Sequence, residues 1–215
     1  MGIKWTTGNS KLEKDNGGHY KILGFGIPAD YTMPDGSNTC PGASACKGVC
    51  YAKQGRYLMP NVRDARKRNL DESMKDSFIL DAIADLGYYK RRGYNVVRIH
   101  DSGDFYSQKY FDAWCEIARH HSDIIFYAYT KNFLLTFDDA PANLRIIQSL
   151  GGKYDDKVNL ARSHARIFST EKARDAAGYV DGNVNDVPAI EGVVNIGLVY
   201  HGVRKLTVAQ SNFFS

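Results

Sequence analysis

Short apolar runs alternate with amphipathic stretches along this chain, and that alternation constrains its fold more than any other feature. Asn95–His100 (NVVRIH), Asp123–Thr130 (DIIFYAYT), Leu144–Leu150 (LRIIQSL), Ala165–Ser169 (ARIFS) and Val193–Tyr200 (VVNIGLVY) each read as a buried strand, and His19–Ile27 (HYKILGFGI) as a first one. Helical patterns lie between them. Over Asn61–Arg92, Met74, Phe78, Ile79, Ala82, Ile83, Leu86 and Tyr89 recur at helical spacing, with Gly93 as terminator. Over Gln108–His121, Tyr110, Phe111, Trp114, Ile117 and Ala118 do the same, a short helix or turn is expected over Asn132–Asp139, and a short helix over Glu171–Ala177. Strand–helix alternation implies a parallel sheet joined by right-handed crossovers. About six strands are fewer than the eight of a closed barrel. The expected fold is α/β: an incomplete (β/α) barrel of about six mostly parallel strands, in a single domain over residues 1–215.

The 215 residues include 43% hydrophobic and 24% charged positions, enough apolar surface for a core without disulfide staples. No run approaches the roughly 18 apolar residues of a membrane span, so no membrane contact is expected. Met1–Lys14 is polar and shows no apolar signal segment. A reducing cytoplasm is therefore expected, where clustered cysteines serve as metal ligands or catalytic groups more often than as disulfides. The net charge of +4 permits contact with nucleic acid without arguing for it. The densest basic stretch, Arg63–Arg68, is interrupted by Asp64 and reads as a solvated helix face.

The cysteines concentrate the chemistry. Residues 39–52 read Thr-Cys-Pro-Gly-Ala-Ser-Ala-Cys-Lys-Gly-Val-Cys-Tyr-Ala, placing Cys40, Cys46 and Cys50 in one loop after the first strand. Pro41, Gly42 and Gly48 turn the chain tightly, and the small Ala43, Ser44 and Ala45 let backbone amides approach the sulfurs. Three clustered thiolates repel one another unless a cation joins them. The spacing does not match the paired cysteines of a structural zinc site. An iron–sulfur cluster held by three cysteines, with one iron open to a small molecule, is the leading expectation; zinc, or no metal, is the alternative. Cys115 lies mid-helix beside Trp114 and reads as a small buried hydrophobe.

The second informative stretch is Val97-Arg-Ile-His-Asp-Ser-Gly-Asp-Phe105, where an apolar strand runs into polar and small residues. Carboxyl ends of strands face the ligand site in open α/β sheets and barrels. His100, Asp101, Ser102 and Asp104 are site candidates by that position, and Gly103 would let the backbone approach a ligand. The competing account is that Asp101 or Asp104 caps the next helix. Thr130 ends the following strand and is a weaker candidate.

Strand, three-cysteine loop, helix, strand and then Ser102-Gly103-Asp104 is an order similar to that of the radical SAM enzymes. That resemblance implies a [4Fe-4S] cluster on Cys40, Cys46 and Cys50, with S-adenosylmethionine on the open iron and a one-electron reductant. It also implies that Val49 sits near the adenine and that Ser102, Gly103, Asp104 and Thr130 serve the cofactor. Two features depart from the pattern: the cysteines are spaced CxxxxxCxxxC rather than CxxxCxxC, and the tripeptide ends in the shorter acid. TCPGASACKGVCYA, VRIHDSGDFYSQKYFDAW and YAYTKN together look like a phage protein family known as gene product eighty-eight, which implies a phage or prophage protein acting in the cytoplasm of a bacterial host.

Three classes of function follow. The first is a radical-SAM-like enzyme. The second is a metal-braced binding module for nucleic acid or a host protein. The third is a cluster enzyme whose open iron acts as a Lewis acid, with His100 and Asp101 supplying acid–base chemistry.

Overall fold

The computed structural model describes residues 2–7 and 18–200. Part of the leading polar segment, residues 8–17, lies outside them.

Seven strands form one curled, half-barrel sheet, β1 (Ile22–Phe25), β2 (Val96–Ile99), β3 (Ile125–Thr130), β4 (Leu144–Ser149), β5 (His164–Phe168), β6 (Val180–Asp181) and β7 (Asn195–Val199). Their order is β1-β2-β3-β4-β5-β7-β6, and every ladder is parallel. The count exceeds the expected six because of β6. It is a two-residue strand pairing Val180 with Ile196 at the sheet's edge, too short to leave an apolar run in the sequence.

The helices are α1 (Cys46–Val49), α2 (Pro60–Ser73), α3 (Phe78–Lys90), α4 (Gln108–His120), α5 (Glu171–Ala176) and α6 (Val187–Glu191). The long helix expected over residues 61–92 is two, broken by a turn at 74–77. Leu70 is buried on α2, and Phe78, Ala82 and Leu86 on α3, whereas Met74 at the break is 43% exposed. Each helix thus docks its own stripe. Residues 132–139 contain turns and no helix.

Strand alternation divides the molecule. Leu23, Phe25, Val97, Ile99, Phe126 and Ala128 face α2, α3 and α4 and pack with Leu70, Phe78, Leu86, Phe111 and Trp114. The opposite, concave face carries Ile22, Val96, Tyr127, Ile147, Ala165 and Ile196, covered by Ala189 and Ile190 of α6. Arg98 projects on this side, where its Nη1 donates to Asp186 at 2.8 Å and the Tyr127 hydroxyl donates to the same carboxylate oxygen at 2.7 Å. No described helix is long and apolar enough to cross a membrane.

Candidate metal centre at the sheet's carboxyl edge

The cysteine loop lies across the carboxyl ends of β1 to β4. Its shape depends on close backbone approach. A Cβ on Gly42 would fall 1.9 Å from the Lys131 carbonyl oxygen, so only glycine fits there. The Gly42 carbonyl accepts from Lys153 N at 2.8 Å, and Ala43 forms an isolated bridge with Gly152. Upstream, the fully buried Thr39 donates its hydroxyl to the Pro28 carbonyl at 2.6 Å and accepts from Tyr31 N at 2.9 Å.

Cys40, Cys46 and Cys50 are half-buried and free of disulfides. Asp30 N donates to Cys40 Sγ at 3.3 Å. Burial first, and then the Asp104 charge, push the Cys40 thiol up to about 12, with Cys50 and Cys46 adding smaller repulsions. Burial also raises the Cys50 thiol, against amide donors at Ala52 and Lys53. Thiols so placed stay protonated until a cation binds them. Lys47 and Lys53 stand over the loop, both paired with Asp30, at 2.7 and 2.6 Å. The donor set is soft, which suits iron–sulfur or zinc rather than magnesium or calcium. Among the described residues no three His, Cys, Asp or Glu side chains are grouped to enclose a single ion. The ligands of a cluster sit on different irons and stand further apart, so the wider spacing fits a cluster better than one ion. Val49, between the second and third cysteines, is buried on α1.

The strand-end candidates gather beside this loop, but their polar atoms are largely spent inside the protein. Asp104 is 5% exposed. It accepts from the Thr130 hydroxyl at 2.6 Å, from Lys131 N at 2.9 Å and from Phe105 N at 2.7 Å. Desolvation raises its carboxyl to about 6 in spite of those donors. Thr130 therefore meets Asp104. Asp101 pairs with Arg66 Nη2 at 2.5 Å, while its other oxygen is buried against Gly26 with no hydrogen-bond partner among the described residues. Ser102 accepts from Arg66 Nε at 2.6 Å and donates to the Ile27 carbonyl at 2.7 Å. Gly103 is required twice over, by its φ of +83° and because a Cβ would lie 2.2 Å from Ile27 Cγ1.

His100 breaks the strand's alternation. In phase with Val96 and Arg98 it would face the concave side. Instead its φ is +65°, its amide and that of Asp101 both donate to the Phe25 carbonyl, and its ring turns to the helical layer. There it packs against Phe105 and Phe25, and its Nε2 meets the Tyr110 hydroxyl at 2.9 Å. Burial depresses its pKa to about 3, so the ring is neutral at physiological pH. A left-handed non-glycine residue is strained, and such strain gathers where the surroundings fix it.

Two residues that the sequence did not single out complete the arrangement. Arg66 lies within the basic stretch read as solvated, yet its side chain is 13% exposed, stacked 4.4 Å from the Tyr57 ring centre, and aimed at Asp101 and Ser102. Lys67 of the same stretch pairs with Asp71, so this segment presents no concentrated basic stripe. Lys131 sits under the cysteine loop, its ammonium on Ser149 Oγ at 2.8 Å. Tyr51, just past Cys50, donates its hydroxyl to the Asp101 carbonyl and tethers the loop to the end of β2.

No solved structure matches the chain. Among curated proteins it is similar to the Gene 88 protein of Mycobacterium phage D29, 29% identical over 153 residues covering 60% of this chain and 63% of that one. It is likewise similar to the Gene 88 protein of Mycobacterium phage L5, 28% identical over 161 residues covering 63% and 66%. The chain thus spans just under two thirds of the length of these relatives. A family model described as Gene product 88 matches residues 3–210, and the chain belongs to that phage family.

Proposed function

We propose that this is an iron–sulfur protein of a phage, acting in the cytoplasm of its bacterial host, in which Cys40, Cys46 and Cys50 hold a [4Fe-4S] cluster with one iron open to a small ligand. The observation that carries the reading is a soft, desolvated three-thiol loop, ringed by amide donors and lysines, braced on the carboxyl edge of a parallel half-barrel. Ligand sites of parallel α/β sheets lie at that edge. The order of motifs favours S-adenosylmethionine as the ligand and a radical-SAM-like reaction. The bound cluster would supply a single electron, taken from an external reductant, to the ligand on the open iron.

The chain's own residues hold this centre in place. Asp104 ties the β2 end to the β3 end through Thr130 and the Lys131 amide, and Lys131 in turn contacts Gly42 of the loop. Arg66 ties α2 to Asp101 and Ser102. In this reading Asp101, Ser102, Asp104 and Thr130 position the loop, and His100 fixes the turn that places them. The test is iron and sulfide content after anaerobic reconstitution. Wild type and Cys115→Ala should each retain about four irons and four sulfides per chain, while Cys40→Ala, Cys46→Ala and Cys50→Ala should lose them. Retention of a single zinc ion by the wild type would replace the cluster with a structural site.

A further inference from the structure

Lys131 is a buried cation with no acid to answer it. Its ammonium donates to Ser149 Oγ at 2.8 Å, to the Ser149 carbonyl at 3.2 Å and to the Leu150 carbonyl, all neutral acceptors. Its charge is felt by Asp155 and Asp104, but both spend their oxygens elsewhere. Asp155 accepts from Gly151 N and Gly152 N, both at 2.8 Å, and Asp104 from Thr130, Phe105 and the Lys131 amide. A buried ammonium without a counter-charge is costly.

The missing charge has one place to come from. The Lys131 side chain is walled between the cysteine loop and the end of β4. The Lys131 carbonyl lies against Gly42, and a Cβ on Gly152 would come within 3.2 Å of Lys131 Cβ. Cys46 and Cys40 both act on its charge. On one side, then, are thiols that burial keeps neutral until a cation arrives. On the other is a cation lacking an anion. A cluster with three thiolates and inorganic sulfides carries net negative charge, and more of it when reduced.

We infer that Lys131 is the counter-charge of the centre on Cys40, Cys46 and Cys50, and that it raises that centre's reduction potential by favouring the more negative, reduced form. The inference rests on the cluster reading above. Lys47 and Lys53 are not equivalent, because Asp30 neutralises both and their side chains are 39% and 40% exposed, where solvent screens them.

The experiment is a redox titration of the anaerobically reconstituted protein, followed by EPR. Lys131→Gln should lower the midpoint potential by at least ~59 mV, the equivalent of tenfold in a one-electron equilibrium. Lys131→Arg should stay near wild type, and Lys47→Gln should shift far less than Lys131→Gln. Ser149→Asp, which puts a carboxylate against the ammonium and leaves the lysine in place, should also lower the midpoint. It decides the matter if Lys131→Gln does not fold. A loaded Lys131→Gln or Ser149→Asp protein with the wild-type midpoint overturns this inference alone. A wild type that binds no cluster overturns the reading beneath it.

Discussion

Arg66 offers a sharp test of how the site is held. Its guanidinium makes two bonds at the end of β2, to Asp101 Oδ2 at 2.5 Å and to Ser102 Oγ at 2.6 Å, and stacks on Tyr57. With side-chain exposures of 13% and 7%, the pair is largely shielded from water. Arg66→Met keeps the aliphatic stem and removes the charge. Asp101 then becomes a buried carboxylate with neither oxygen paired, since Oδ1 already lacks a partner among the described residues. Breaking one side of a buried pair costs about 3–5 kcal/mol. A domain of 150–250 residues loses roughly 2–4 °C of Tm per kcal/mol, so a drop of about 6–20 °C is expected. Thermal unfolding by circular dichroism reads it directly. Asp101→Asn alone should also destabilise, and the double variant should fall short of the sum by about 1–3 kcal/mol, as coupled residues do. A single-variant loss under about 1 kcal/mol, or strict additivity, would refute the claim that this pair locks the strand end.

Other outcomes follow from the same structure. Gly42→Ala drives a Cβ into the Lys131 carbonyl, so reconstituted iron should fall steeply while far-ultraviolet circular dichroism stays near wild type; full loading would contradict the close approach. Gly103→Ala combines a left-handed φ with a clash on Ile27 and should cost about 2–4 kcal/mol in urea unfolding, against a null result below about 1. His100 has a folded pKa of about 3 against roughly 6.5 unfolded, so the unfolded state takes up the proton first and stability is lost as pH falls from about 6.5 toward 3. Asp104 works the other way, because its folded value of about 6 lies above the unfolded carboxyl and stability is gained as pH falls through it. The His100 part is therefore read as a difference: between pH 7 and 5 the wild type should lose about 2 kcal/mol more than His100→Gln, and parallel pH profiles would show that the ring is not buried neutral.

What the sequence made legible was whatever is local. Six strands carry enough consecutive apolar residues to be seen, and their alternation with helices implies the parallel half-barrel. The cysteine loop was visible for the same reason, because three cysteines, a proline and two glycines fall within eleven residues. Short elements were not visible. β6 has two residues, and α6 has five, entered through Pro188, yet α6 covers the concave face. The break at 74–77 was hidden because Met74 and Phe78 keep helical spacing across it, although Met74 faces solvent. Least legible were the partners of the strand-end acids. Asp101 meets Arg66 across 35 residues and Asp104 meets Thr130 across 26, so position at a strand end identified the residues without showing what occupies them. Arg66 carried no signal beyond a polar helix face, and Lys131 none beyond following Thr130.

The most direct test of the central claim is the EPR spectrum of the anaerobically reconstituted, reduced protein, recorded with and without S-adenosylmethionine. The account predicts a [4Fe-4S]+ signal whose shape changes when the compound is added. A signal indifferent to it would remove the radical-SAM-like reaction and leave the cluster. A protein that retains no iron, and gives no signal in either sample, would contradict the cluster itself.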